Sequence, residues 1–225
     1  MTWVKICGTT SLEDALVAVE AGANALGFVF AESPRRLTPE AARAIIAVLP
    51  ATVQKVGVFV NEAAERIRDI TAQAGLTAVQ LHGDETPDFA GQLFPWQGTR
   101  RGCRIFKAIP VRPGFEAHAQ EFTPRQNTVD ALLLDSYSES ARGGTGRPFD
   151  WQLASTAAPR LALRSKLILA GGLDAGSVGA AIRLLRPWGV DVVSGVESMP
   201  GRKDPDKVRA FLAAVRAADK EHTRP

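Results

Sequence analysis

Four side chains able to do chemistry fall at or just past the ends of short apolar runs: Cys7, Arg35, His82 and Asp135. Cys7 closes Trp3-Val4-Lys5-Ile6 and is followed at once by Gly8. Strand alternation sets Val4 and Ile6 on one face and Lys5 with Cys7 on the other, so an amine and a thiol point into one enclosed space. A thiol beside a cation and a glycine suits a base or nucleophile, although a free cysteine also serves as a small buried hydrophobe. Asp135 ends Ala131-Leu132-Leu133-Leu134. Apolar flanks favour the protonated form of such a carboxylate, which suits a general acid; capping the following loop is the plainer alternative.

Two short glycine-bearing stretches complete the set. Gly171-Gly172-Leu173-Asp174 and Ser194-Gly195-Val196-Glu197 each follow an apolar run. Glycine lets backbone amides approach an anion, so Gly171, Gly172, Ser194 and Gly195 read as a phosphate cradle, or as tight turns. The loop Arg142-Gly143-Gly144-Thr145-Gly146-Arg147 is cationic and flexible in composition. It reads as a lid over an anionic substrate, with Gly144 at its centre, or equally as an exposed surface loop. Arg35 and Arg36 suit a carboxylate, which an arginine fork binds through two parallel hydrogen bonds. His82 reads as a hydrogen-bonding group of the site; pairing with Cys7 as a Cys–His dyad is the sharper alternative. Cys103, His118 and His222 read as structural or exposed, and Trp96, Trp151 and Trp188 as packing residues. No His, Cys and carboxylate cluster has metal-ligand spacing, so no metal site is expected.

The elements that must position these groups alternate from end to end. Strands are expected at Trp3–Cys7, Asn24–Phe30, Lys55–Val60, Thr77–Leu81, Arg104–Ala108, Val129–Asp135, Lys166–Ala170 and Asp191–Gly195. Helices are expected between them. Ser11 caps one that stops near Gly22, and Thr38 with Pro39 opens one running to Leu49. Asn61 is expected to cap a third through Gln73, with a fourth over Asp84–Leu93. Further helices are an irregular one within Pro113–Phe122, Trp151–Thr156, one opened by Asp174 and Ser177, and Pro205–Ala218. Eight strand-plus-helix units without a break in composition predict a single (β/α)8 barrel domain over residues 1–225. A doubly wound open sheet is the alternative, but no G-x-G-x-x-G follows the first strand. On the sixth strand Leu132 and Leu134 should face the helices while Ala131, Leu133 and Asp135 face inward. Gln80 and His82 should share a face on the fourth. In such a barrel the active site lies at the C-terminal ends of the strands, where all the groups above fall.

Composition is that of a globular chain, with 45% hydrophobic and 23% charged residues among 225. The net charge of +3 is mildly basic, which suits an anionic small molecule. Without a basic helix face or interleaved aromatics, no nucleic-acid partner is expected. No apolar run approaches the roughly 18 residues of a membrane span, and no signal-peptide pattern opens the chain. Two cysteines 96 positions apart do not form a disulfide framework. A reduced, cytoplasmic protein with no membrane partner is expected.

Together these motifs resemble one family, phosphoribosylanthranilate isomerase. The resemblance rests on Val4-Lys5-Ile6-Cys7-Gly8, Gly27-Phe28-Val29-Phe30 with Ser33-Pro34-Arg35, and Val56-Gly57-Val58-Phe59-Val60-Asn61. It continues through Val79-Gln80-Leu81-His82-Gly83, Leu134-Asp135-Ser136 with Gly143-Gly144-Thr145-Gly146, and Leu169-Ala170-Gly171-Gly172-Leu173. Gly195-Val196-Glu197-Ser198 with Gly201-Arg202-Lys203-Asp204 closes it, so the motifs span the chain in the family's order. The resemblance implies a (β/α)8 enzyme of tryptophan biosynthesis, a monomer or homodimer, acting on a small phosphorylated substrate. It implies an Amadori rearrangement of N-(5-phosphoribosyl)anthranilate to 1-(2-carboxyphenylamino)-1-deoxyribulose 5-phosphate without cofactor or metal. It places the general base on Cys7, the general acid on Asp135 and the anthranilate-carboxylate arginine on Arg35. Lys5 is expected to help ionise the thiol. Arg36 departs from the family, which usually carries an aromatic residue there, and shared carboxylate binding is its alternative role. Thr9 stands at a commonly apolar position, and Trp96–Arg104 is longer than usual. Another phosphosugar barrel enzyme and a catalytically silent sugar-phosphate sensor remain the competing readings.

Overall fold

Alternate residues of eight strands turn inward and the sheet closes on itself. The computed structural model describes residues 1–93, 102–122, 129–136 and 151–222. The strands are β1 (Trp3–Cys7), β2 (Ala25–Val29), β3 (Gln54–Phe59), β4 (Ala78–Leu81), β5 (Arg104–Val111), β6 (Ala131–Ser136), β7 (Lys166–Leu169) and β8 (Gly189–Val192). They form one closed parallel barrel in sequence order. β8 returns beside β1, with Lys5 level with Asp191. The helices α1 (Leu12–Glu20), α2 (Pro39–Ile46), α3 (Ala64–Ala74) and α4 (Pro87–Leu93) each come after the strand of the same number. So do α5 (Phe115–Glu121), α6 (Trp151–Ala162), α7 (Val178–Leu185) and α8 (Pro205–His222). A short antiparallel pair, β9 (Glu197–Met199) and β10 (Arg202–Lys203), stands between β8 and α8.

Two apolar layers result from strand alternation. Val4, Ile6, Leu26, Phe28, Leu132 and Leu134 face outward into a core shared with the helices. Ala25, Val56, Ala78, Phe106, Ala131, Leu133 and Ile168 fill the barrel itself. The expected faces of the first and sixth strands are therefore observed. α1 and α2 start where expected, because Ser11 accepts the Asp14 N–H and Thr38 accepts the Ala41 N–H.

β5 runs on to Val111 and α8 to His222, past their expected ends at Ala108 and Ala218, while α2 stops at Ile46, short of Leu49; α3, β8 and α6 also differ from expectation. α3 begins at Ala64, with no side-chain cap. Asn61 instead takes a left-handed φ of 51°, donates its N–H to Glu85 Oε1 at 2.8 Å and accepts the Asp84 N–H, tying two loops together. β8 begins at Gly189, two positions earlier than expected, where a Cβ would lie 2.8 Å from the Trp3 ring and so only glycine fits. Beyond its end, Ser194–Val196 forms a 3-10 turn rather than strand. α6 absorbs Pro159 and runs to Ala162, past the expected end at Thr156.

Candidate active site

Cys7 and Lys5 do share the inward face of β1. Both are buried, and Gly27 on the neighbouring strand makes room for them. A Cβ at that position would lie 2.5 Å from the Cys7 sulfur and 3.0 Å from Lys5 Cε. Lys5 Nζ donates to Asp191 Oδ2 at 2.8 Å and to Gln80 Oε1 at 2.9 Å. Burial alone would lower its pKa, but Asp191 and Cys7 outweigh it and hold the ammonium above its ordinary value. The expectation that Lys5 ionises the thiol is met only in part. Burial pushes the Cys7 thiol up, and Lys5 opposes that shift without cancelling it. Cys103, the second thiol, is pushed up to about 12 by burial and then by Asp130, and lies away from the site.

Across the barrel, Asp135, next to last in β6, faces the same space. His82 Nε2 lies 3.0 Å from Asp135 Oδ2, and the Ser136 N–H donates to Oδ1 at 2.7 Å. His82 Nδ1, just past the end of β4, in turn lies 2.8 Å from Gln80 Nε2, so the two share a face as expected. Both ring nitrogens of His82 are thus engaged, and neither by Cys7. The Cys–His dyad is not formed.

Arg35 reaches the mouth from the loop after β2, where its role is set by a residue that sequence reasoning leaves without one. Its Nε donates to Glu197 Oε1 at 2.8 Å and its Nη2 to Oε2 at 2.6 Å, so the fork expected for a ligand carboxylate is held by a protein carboxylate. Glu197 also accepts from Lys203 Nζ at 2.9 Å, and that ammonium donates on to the Cys7 carbonyl at 2.6 Å. Burial would raise the Glu197 pKa, but Arg35 and Lys203 overcome it and hold the carboxyl below its ordinary value. Glu197 and Lys203 stand on β9 and β10, within the matched Gly-Val-Glu-Ser and Gly-Arg-Lys-Asp stretches. Their shared motif is the available signal.

One pocket of about 650 Å³ gathers these groups. Cys7, Arg35, His82 and Asp135 line it together with Gly171, Gly172 and Ser194. Gly171 and Gly172 take left-handed φ of 84° and 65°. A Cβ on Gly171 would lie 2.5 Å from the Ser136 nitrogen, which makes glycine necessary for the loop to pass the acid-bearing strand. Gly195 does not line the pocket: it packs against the carbonyl of Leu173, joining the two expected phosphate loops to each other. Arg36 lies exposed on the rim. Gly144, its loop and Trp96 lie outside the described residues.

Comparison with known proteins agrees with this arrangement. Residues 4–214 match the model of the family described as N-(5'phosphoribosyl)anthranilate (PRA) isomerase. The Pelobacter propionicus protein named N-(5'-phosphoribosyl)anthranilate isomerase is 48% identical over 225 residues, covering all of both chains. The crystal structure of phosphoribosyl anthranilate isomerase from Thermotoga maritima matches with a TM-score of 0.84 at 39% identity, over 96% of this chain and 100% of that one. A phosphoribosyl anthranilate isomerase in complex with reduced 1-(O-carboxyphenylamino)-1-deoxyribulose 5-phosphate matches at 0.81 and 38%, over the same shares. No helix among the described residues is long and apolar enough to cross a membrane. The chain therefore belongs to the phosphoribosylanthranilate isomerase family, enzymes of tryptophan biosynthesis.

Proposed function

We propose that this isomerase rearranges N-(5-phosphoribosyl)anthranilate to 1-(2-carboxyphenylamino)-1-deoxyribulose 5-phosphate by general acid–base catalysis, with residues 1–225 acting as one catalytic domain. The observation that carries this reading is that a thiol on β1 and a carboxylate on β6 open into the same pocket. Asp135 donates a proton to the furanose ring oxygen while the anilino nitrogen pair enters the C1′–N bond. The C1′–O bond breaks and an iminium forms. Cys7, as thiolate, removes the C2′ proton; the released pair forms C1′=C2′ and the iminium electrons return to nitrogen. The resulting enolamine gains a proton at C1′ and loses its C2′ hydroxyl proton to give the ketone. No step calls for a metal or cofactor.

Binding uses the same pocket. The backbone at Gly171, Gly172 and Ser194 takes the sugar phosphate, with Gly195 packed behind them on the Leu173 carbonyl, fixing C2′ between acid and base. Arg35 Nη1, which has no partner among the described residues, meets the anthranilate carboxylate, with Arg36 beside it as a second cation. His82 holds Asp135 in place. The test is loss of anthranilate fluorescence on adding enzyme to substrate generated in situ. Wild type should consume the signal rapidly and Cys7→Ala at least about a hundredfold more slowly. Undiminished turnover in Cys7→Ala removes the thiol from the mechanism. Binding of a product analogue without turnover in wild type makes the barrel a silent sugar-phosphate binder.

A further inference from the structure

A single-file chain of hydrogen bonds crosses the barrel along the wall of the pocket, and its direction can be read from chemistry alone. Lys5 Nζ has hydrogens and no acceptor, so the Gln80 atom it meets at 2.9 Å is the carbonyl oxygen. The other end of that amide, an NH2 group, must then face His82 Nδ1 at 2.8 Å. An amide NH2 only donates, so Nδ1 must accept, and the neutral ring carries its hydrogen on Nε2. Nε2–H points at Asp135 Oδ2, 3.0 Å away. Every donor points the same way: Lys5 to Gln80, Gln80 to His82, His82 to Asp135. The head of the chain is immobile, because Lys5 is fully buried and anchored to Asp191 at 2.8 Å. Gln80 is only 1% exposed, so water does not compete for its amide.

We infer that Gln80 is a positioning residue that fixes the tautomer of His82 and thereby leaves the working proton of the His82–Asp135 pair on the carboxyl group. Protonating the ring would set Nδ1–H against the Gln80 N–H, donor against donor, in a place that water cannot relieve. An acid–base site with a histidine beside its acid has two places to keep one proton. The Gln80 amide closes one of them. This assignment of roles rests on Asp135 being the general acid; the tautomer itself does not.

The histidine nitrogens test it directly. The chain has three histidines, so protein labelled with ¹⁵N-histidine gives a sparse spectrum, and the signals missing from His82→Gln identify the ring. Wild type should show Nε2 protonated and Nδ1 bare; a hydrogen on Nδ1 overturns the inference without any variant. Gln80→Glu presents an acceptor on both sides and should move the hydrogen to Nδ1. Its kcat should fall about a hundredfold with KM within twofold of wild type. Gln80→Met, which neither donates nor accepts there, should show both tautomers and an intermediate kcat. Full activity with the hydrogen on Nδ1 overturns the inference, and so does lost activity with the tautomer unmoved. Asp135→Asn separates the two readings. If it retains turnover, Asp135 is not the acid, while the Nε2–H signal still reports on Gln80.

Discussion

The two ends of the barrel hold pockets of similar volume, about 740 Å³ at the strand starts and about 650 Å³ at the strand ends, and only one is built for chemistry. At the starts, polar side chains serve the backbone. Asn24 Oδ1 accepts the Val4 N–H at 2.8 Å, Asp130 Oδ2 accepts the Ile105 N–H at 2.7 Å, and Thr77 Oγ1 accepts the Lys55 N–H at 2.9 Å. Trp3 stacks on Trp188 with ring centroids 4.9 Å apart, and Lys166 lies over the latter. At the ends, polar side chains serve one another, through Asp191, Lys5, Gln80, His82 and Asp135. Volume is a poor guide to function here. An acceptor committed to its own backbone is lost to a ligand, whereas one held by a neighbouring side chain is aimed at the space between them.

That contrast can be broken by equivalent changes at the two ends. Asp135→Asn should lower turnover at least about a hundredfold while leaving the melting temperature close to wild type. Near-normal turnover would equate the two ends. Asp130→Ala should do the reverse. It leaves the Ile105 N–H without its partner and should cost about 1–3 kcal/mol in denaturant unfolding, with kcat unchanged. A fall in kcat there would give the lower pocket a part in the reaction.

The charged cluster at the mouth makes a pH-dependent prediction. The folded state holds the Glu197 carboxyl below its ordinary value of 4.5, so its charge stabilises the fold above that pH, and this contribution fades as the pH falls through the folded value. The stability gap between wild type and Glu197→Gln should be full at neutral pH and should close as the pH drops below about 4.5. A gap constant with pH would mean that shape rather than charge holds Arg35 and Lys203. The smallest effect belongs to Thr9, fully buried with its hydroxyl unpartnered among the described residues. Thr9→Val should raise stability by up to about 1 kcal/mol, and a loss would reveal a partner for that hydroxyl.

The part of the molecule legible in its sequence is the part that depends on near neighbours. Period-two alternation suffices to put Lys5 beside Cys7, Gln80 beside His82, and Asp135 inward after its leucines. Eight repeats of strand and helix suffice for the closed barrel. The illegible part depends on residues that meet only after closure. Arg35 and Glu197 are 162 positions apart, and nothing near either one announces that the arginine fork is already occupied. Asn61 has the residue type of a helix cap, but its geometry answers to Glu85, which is 24 residues away. Gly27 reads as an ordinary strand residue, yet the thiol and amine of β1 need its missing side chain.

The span of those contacts also orders events in time. Lys5 waits 186 positions for Asp191, and the Cys7 carbonyl waits 196 for Lys203. At about 5–20 residues per second of synthesis, the strand bearing the thiol emerges roughly ten to forty seconds before its partners exist. Through that interval Lys5 lacks Asp191, and burying its ammonium without that partner would cost several kcal/mol, which disfavours a finished core around β1. Sealing the barrel and arming the site are therefore the same event, and a half-made chain carries the thiol but no enzyme.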